Sequence, residues 1–505
     1  MFKHPTALID DRFFADFQKF KPPLDADSLW AFNEFAGADL NDQRLTLRLQ
    51  LLSHQFAQQP LASIPQACGG WANSKAAYRF CSNQKVSFDA ILAAHYHCTL
   101  DRVGLSNCPV ILCPQDTTTL NYMAHPATQG LGHVGTKPGK SLGMLLHSTL
   151  AVSPQGQFFG LLHAHCWSRP KKPKKKGRRP SRCKEKIKDK ESFRWLKSFR
   201  HVNQLATADP HHRWVSVEDR EGDIYPVLQE ALAPGCKAGL LVRARHDRAL
   251  LGKPSQKLFS YMRQLCEAGT LTTHVPRHED QPARVVTLSI RFSKVNFCAP
   301  RHHSGQPALS LWTVWAQEID PPAGQKPICW CLLTTVPVGT LAEAIERLQW
   351  YIRRWIIEEF HRVLKSGCQV EARQLTTRLR LQRALAIDMV VAWRVMYLTK
   401  AARLEPDSPA DRWLRTEEWQ ALYCYVHQCS EPPQKPPTIG EAVGWIAQLG
   451  GFLARKSDGR PGSTTIGRGL HRLNDIVRSW QAFGLDLRER PKLKRRSPKT
   501  TKRCG

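Results

Sequence analysis

The feature that most limits the fold is a run of short, β-rich segments that begins at Pro109 and closes, far along the chain, on one long amphipathic helix. PVILCPQD (109–116), SLGMLLHSTLAV (141–152), QFFGLLHAHCW (157–167) and HRWVSVED (212–219) are rich in β-branched and apolar residues. The fourth leads into a helical stretch, IYPVLQEAL (224–232). Strand runs followed by helices bury their apolar faces as a mixed sheet covered by helices, so the expected class is α/β. Further strand-like pieces between about Lys237 and Thr335, among them GLLVRARH, RVVTLSIRFSKV, ALSLWTVWAQEI and ICWCLLTT, read as an all-β insertion. Leu341 to Ser366 is strongly helical, and the remainder to about Leu485 is mostly helix. The segment ahead of the sheet also reads as helices, Leu40 to Gln58 and Trp71 to Cys81, separated by a glycine-punctuated turn. The expected units are a helical region 1–86, a core 87–380 with its insertion at about 237–335, and a mostly helical region 381–505.

Two acids end strand-like runs: Asp116 closes PVILCPQD and Asp219 closes RWVSVED. The carboxyl ends of strands are where α/β sheets place their sites. Val215, Val217 and Asp219 share parity, so the carboxylate continues one face of its strand. Asp223, just ahead of Ile224, Tyr225 and Pro226, reads instead as a helix N-cap. A third acid comes from the long helix. At about 100° per residue, Tyr351, Arg354, Glu358 and Lys365 fall within roughly 60° of one another, forming one polar stripe. Ile352, Ile356, Phe360, Val363 and Leu364 fill the opposite face, while Glu359 points about 100° away from Glu358.

Any one of these acids could simply face water or form an exposed ion pair. Together they suit a particular chemistry. In-line cleavage of a phosphodiester uses one divalent ion to activate the attacking oxygen and a second, about 4 Å away, to stabilise the leaving oxygen. Magnesium takes a few carboxylates and keeps waters that a substrate can displace. Arg and Lys beside the acids can receive non-bridging phosphate oxygens.

Charge points to the same partner. The 505-residue chain carries a net charge of +30, concentrated in Arg169 to Lys190 and in the tail Arg488 to Arg503. Like-charge blocks attract a polyanion, and neither is amphipathic enough to favour a membrane surface. In the amino-terminal helices Arg44 and Arg48 lie one turn apart, as do Lys75 and Arg79, so each pair can face a phosphate backbone. No apolar run approaches the length of a membrane span, and MFKHPTALIDDRFF has no secretory pattern, so the expected location is the cytoplasm. The sixteen cysteines include no CxxC pair and read as reduced thiols. Cys424, His427 and Cys429 are spaced too tightly for a zinc site.

Several motifs resemble the insertion-sequence transposases of the IS-four family, particularly its Tn5-like members. LNDQRLTLRL (40–49) and KAAYRF (75–80) are similar to the family's end-binding region, and LGGF (449–452) to its carboxyl-terminal domain. QDTTTL around Asp116, DREGDIY around Asp219 and YIRRWIIEEFHRVLKSG (351–367) resemble its DDE catalytic core. LVRARH (241–246), EIDPPAG (318–324) and WCLLTTVPV (330–338) match its β insertion. The resemblance implies a ribonuclease-H-like core and a carboxyl-terminal dimerisation domain. It also implies a homodimeric paired-end complex that cuts and pastes DNA through a hairpin intermediate. Asp116, Asp219 and Glu358 would hold two Mg2+ ions, with Mn2+ able to replace them. Tyr351, Arg354 and Lys365 would contact phosphates, with Arg243 and Arg245 close by, and Trp330 would stack on a flipped base. Other readings are a nuclease or resolvase that cuts without joining, and a DNA-binding inhibitor or inactive homologue. Two features depart from the family: Pro114 inside the first strand implies a bulge or late strand start, and the loop 169–190 is unusually basic.

Overall fold

Helices open the chain in the computed structural model, which describes residues 29–135, 141–170, 186–275, 284–300, 305–325, 327–455 and 458–483. They are α1 (Leu29–Glu34), α2 (Gln43–Gln58), α3 (Ile64–Cys68), α4 (Trp71–Ser82) and α5 (Phe88–Gly104). Asp42 caps α2 by accepting the Arg44 N–H at 3.0 Å. Ser63 and Gln66 form a capping box on α3, which Gly69 ends at φ +67°, a left-handed conformation that favours glycine.

The sheet strands follow: β1 (Val110–Asn121), β2 (Gly132–His133), β3 (Leu142–Val152) and β4 (Phe158–Trp167), then α6 (Phe193–Ala208), β5 (Arg213–Glu218), α7 (Tyr225–Ala231) and β6 (Gly239–Arg243). Next come β7 (Ala249–Leu250), β8 (Lys253–Lys257), α8 (Leu258–Gln264), β9 (Gly269–Val275), β10 (Arg284–Phe297), β11 (Leu309–Glu318) and β12 (Cys329–Thr334). All twelve strands join one sheet, ordered β2-β3-β1-β5-β6-β12-β11-β10-β7-β8, with β4 on β3 and β9 on β10. β5 runs parallel to both β1 and β6, and the remaining pairings are antiparallel. The α/β class is therefore met by a large mixed sheet with helices. The segment 237–335 corrects one expectation: it contains the helix α8, and its strands extend the core sheet through the β6–β12 pairing rather than standing apart as an all-β unit.

Alternation along the central strands sorts the two faces. Leu112, Val215, Val217 and Leu332 pack with Leu348, Trp350 and Tyr351 of α9 (Leu341–Arg353). Ile111, Cys113, Trp214 and Leu333, one residue out of phase, pack with Trp195, Phe199 and Val227 from α6 and α7. Pro114 is accommodated without a bulge in β1 or a late start. The strand begins at Val110, and its alignment with β3 is the same at Leu112–Val152 as at Gln115–Thr149. Paired positions are missing only at Cys113 and Pro114, where a proline has no N–H to give.

The long helix expected at 341–366 is divided into α9, α10 (Trp355–Arg362) and a widened π-helical turn, Val363–Gly367. Arg354 lies at the break, where Arg354 N–H bonds to Tyr351 O and Ile357 N–H to Arg354 O, three residues apart. Beyond it lie α11 (Arg378–Leu404), α12 (Thr416–His427), α13 (Ile439–Leu449) and α14 (Ser463–Phe483). α11 crosses the expected boundary at 380 and shares one core with Phe35, Phe56 and Phe80 of the first helices and with Leu120 and Phe158 of the sheet. A separate core joins Leu398 to Trp419, Leu422, Ile446 and Leu473. Every cysteine among the described residues is a free thiol. Among the described residues no helix is long and apolar enough to cross a membrane. The tail and most of the basic loop lie outside the described residues.

Candidate active site

Asp116 and Asp219 are brought side by side by parallel pairing. The β1–β5 register ends at Pro114 opposite Val217, so each acid stands two residues further on, on the face toward α9 and α10. Asp219 lies just past the end of β5, as expected. Asp116 does not end its strand: β1 continues to Asn121, with Asp116 opposite Ser148 of β3. The acid instead lies two residues beyond the last parallel pair, where antiparallel pairing alone continues. Each carboxylate is oriented from its own chain, Asp116 Oδ1 accepting Thr117 N–H and Asp219 Oδ1 accepting Glu221 N–H, both at 2.7 Å.

Glu358 enters from α10. Arg354 Nη2 donates to its Oε1 at 2.7 Å, while Arg354 Nη1 lies 3.8 Å from Asp116 Oδ2. The guanidinium, 8% exposed, thus stands between two acids from different elements. Burial pushes the Asp116 carboxyl up to about 7; Arg354 opposes this, and the charges of Asp219 and Glu358 reinforce it. Arg354 itself is held charged, because Tyr351, Glu358 and Asp116 outweigh its own burial. Glu359 points elsewhere, to Lys400 Nζ at 2.7 Å and Ser463 Oγ at 2.7 Å. Ile356, Phe360, Val363 and Leu364 are buried, as the helix pattern requires.

Around the acids the expected cations divide. Arg243 is half-buried, donates to Cys329 O at 3.0 Å, and faces Tyr351, Arg220 and Arg354. Arg245 is exposed two residues further, past the end of β6, its N–H bonded to Asp223 Oδ2 at 2.7 Å. Lys365 sits on the π turn, half-buried, its ammonium lowered by burial against the pull of Glu371. No ion pair joins it to the three acids among the described residues. Exposed Arg220, which follows Asp219, is a cation that the motif spacing does not single out; its adjacency to an acid at a strand end is the available signal.

One assignment is revised. Asp223 is no N-cap, since α7 is capped by Ile224 without a side-chain bond. It is fully buried and paired with Arg248, and it also accepts the N–H groups of Arg245 and His246. Trp330 is buried, 4% exposed, with its ring edge-on to Tyr351 at 5.7 Å and to Trp355 at 6.0 Å. The Trp330 side chain is thus almost wholly covered by its neighbours, and the half-buried Trp355, one turn before Glu358, is the more open of the two rings. Arg354 faces the acids, 3.8 Å from Asp116 Oδ2 and 2.7 Å from Glu358 Oε1.

The amino-terminal cations also separate. Lys75 and Arg79 line an open surface groove of about 490 Å³ with Trp71, Tyr78 and Arg380. Trp71 is 80% exposed. Its spacing to Lys75 and Tyr78 on α4 is legible in the sequence; Arg380, about three hundred residues away, is not. Arg44 is exposed and paired with Asp42 at 3.1 Å. Arg48 is half-buried, and burial lowers its guanidinium.

Among the described residues no three His, Cys, Asp or Glu side chains are already drawn together as a ligand set. The donors nevertheless suit a hard cation. They are carboxylate oxygens facing one side, and the burial that chiefly raises Asp116, with the smaller repulsion from Asp219 and Glu358, is a cost that a dication would relieve. Arg354 supplies positive charge between Asp116 and Glu358.

Residues 27–86 match a family described as transposase DNA-binding, and residues 390–482 one described as the transposase Tn5 dimerisation domain. Among solved structures, the chain is similar to the piggyBac transposase in a synaptic complex with hairpin DNA, at 10% identity and a TM-score of 0.32. That match covers 80% of this chain and 58% of the other, so the chain spans less than two thirds of its length.

Proposed function

We propose, for a chain that belongs to the Tn5-like transposases of the IS-four family, that it binds the terminal repeats of a mobile element, cuts them and joins the freed 3′ ends to target DNA. The observation that carries this reading is the pairing of Asp116 with Asp219 on one face of a parallel strand pair, opposite a helix from which Arg354 links Glu358 to Asp116. The sheet is read as a ribonuclease-H-like core extended by β7 to β12.

Asp116, Asp219 and Glu358 would hold two Mg2+ ions, Mn2+ serving in their place, which when bound supply activation of the attacking oxygen and stabilisation of the leaving oxygen. The chain's own residues do the rest. Arg354 and Tyr351 flank the acids, so a phosphate delivered there meets a positive charge held in a mostly buried setting, where it acts more strongly than in water. Arg220, Arg243 and Arg245 continue that positive rim toward the β6 end, and Lys365 approaches from the π turn. A first cut by water exposes a 3′-hydroxyl. Its attack on the opposite strand releases the flank and closes a hairpin, a second water opens the hairpin, and the same hydroxyl then joins target DNA. Each step exchanges one phosphodiester oxygen for another.

Lys75 and Arg79 are the terminal-repeat contacts best placed for a phosphate backbone, with Arg44 and Arg48 on the neighbouring helix. The dimerisation match at 390–482 supports a homodimer in which one subunit holds one end and cuts the other. The test is Mg2+-dependent cleavage and joining of DNA bounded by the element's own repeats, run with wild type and Asp219→Ala. Nicking, hairpin and joined products that depend on Asp219 are expected. Cleavage without joining would mark a nuclease, and end binding without cleavage a DNA-binding homologue.

A further inference from the structure

Behind the two aspartates, on the opposite face of the sheet, lies a buried polar chain that the proposed reaction does not use. Gln115 and Glu218 each precede an acid by one residue, and both side chains are fully buried, as are Ser216 and His147. Gln115 Nε2 donates to Ser216 Oγ at 2.6 Å and to Glu218 Oε1 at 3.1 Å, and Ser216 Oγ donates to the same Glu218 oxygen at 2.9 Å. On its other side Gln115 Oε1 meets His147 Nε2 at 3.1 Å, and His147 Nδ1 meets Thr117 Oγ1 at 2.8 Å. Arg194 Nε donates to Thr117 Oγ1 at 2.7 Å and Arg194 Nη2 bonds to Glu221.

The donors set every direction in this chain. Arg194 can only donate, so Thr117 accepts from it and gives its own O–H to His147 Nδ1. His147 Nε2 then carries the proton and donates to Gln115, leaving the Gln115 amide N–H groups for β5. The chain also ends where the aspartates are held: Thr117 N–H bonds Asp116 and Glu221 N–H bonds Asp219.

This bridge lies where the backbone gives none. Paired β1–β5 positions stop at Pro114 opposite Val217, one residue short of Gln115 and Glu218 and two short of the acids. A Cβ on Gly222 would overlap the Glu218 carboxyl, so the turn after Asp219 closes directly over it. We infer that Gln115, with Glu218 and Ser216, is a positioning bridge that replaces the lost ladder and sets the spacing between Asp116 and Asp219 for divalent-ion binding. The inference rests on the metal-site reading above.

The test uses the full-length protein and Mn2+ alone, with free ion read by electron paramagnetic resonance and melting temperature measured alongside. Gln115→Ala should weaken Mn2+ binding by about tenfold or more, the usual size of an outer-shell loss. Glu218→Ala should weaken it too. Glu218→Gln, which keeps the accepting oxygen, should stay within about twofold of wild type. A role in stability alone would lower the melting temperature and leave the affinity of the folded protein unchanged, which would overturn the inference, as would equal losses in Glu218→Ala and Glu218→Gln. If Gln115→Ala does not fold, Ser216→Ala removes one donor to Glu218, and unchanged Mn2+ affinity there overturns the proposal equally. Mn2+ binding insensitive to Asp116→Ala would instead remove the metal site on which the inference depends.

Discussion

Replacing Asp116 with Asn should stabilise the metal-free protein above neutral pH, although it removes a proposed ligand. In the folded chain burial lifts this carboxyl from 3.8 to about 7, with Arg354 opposing and Asp219 and Glu358 adding to the rise. Its folded form therefore binds a proton more tightly than its unfolded form. The linked free energy makes stability highest below pH 3.8 and lower as pH climbs to about 7. At about 1.4 kcal/mol per pH step the full cost is roughly 4 kcal/mol, an upper bound because 21% of the side chain remains in water. Asparagine has nearly the same shape and no charge to bury. For a chain of this length an unfolding entropy of about 1 kcal/mol per degree makes the difference up to about 4 °C. Melting in EDTA from pH 4 to pH 8 should show wild type and Asp116→Asn nearly together at the acid end and the variant higher at pH 8. Adding Mg2+ should raise wild type and leave the variant where it was. Parallel curves across the whole range would refute the argument that ionising buried Asp116 costs stability in the metal-free protein.

Asp116→Ala, Asp219→Ala and Glu358→Ala should each abolish cleavage while leaving end binding in gel-shift assays intact, with no further loss on combination, because a missing ligand disables the unit. End binding should weaken steeply with salt, and Lys75→Ala or Arg79→Ala should each reduce the log–log slope by about 0.9; unchanged slopes would dismiss the α4 surface. Trp330→Ala, cut from a buried aromatic cluster, should cost about 3–5 kcal/mol of stability and slow nicking, hairpin formation and joining together. A stable Trp330→Ala that nicks normally but forms no hairpin would instead assign the base-holding role to that ring. Asp388→Ala, which strands Arg373 beneath the amino-terminal helices, should destabilise by about 3–5 kcal/mol, visible as a lowered melting temperature.

What the chain determines locally is legible in the order of its residues alone. The shared parity of Val215, Val217 and Asp219 and the one-turn spacing of Arg354 and Glu358 depend only on strand and helix geometry and hold in the fold, whereas Tyr351 of the expected polar stripe is drawn into the core. The apolar face of that helix and the exposed turn from Lys75 to Arg79 follow from the same periodicities. Tertiary contacts decide the rest. Asp223 reads as a cap by its place before a proline, but Arg248, twenty-five residues on, makes it a buried ion pair. Trp330 has the same local pattern whether its ring is covered or open, and only Tyr351 and Trp355 packing on it settle that. Arg354 lies on the expected stripe, yet its inward turn depends on Asp116, more than two hundred residues away. The Gln115–Glu218 bridge is equally invisible in the sequence, because one hydrogen bond joins residues 103 apart only after β1 and β5 pair. Periodicity fixes which face a residue occupies; what stands opposite that face is set when distant segments close on it.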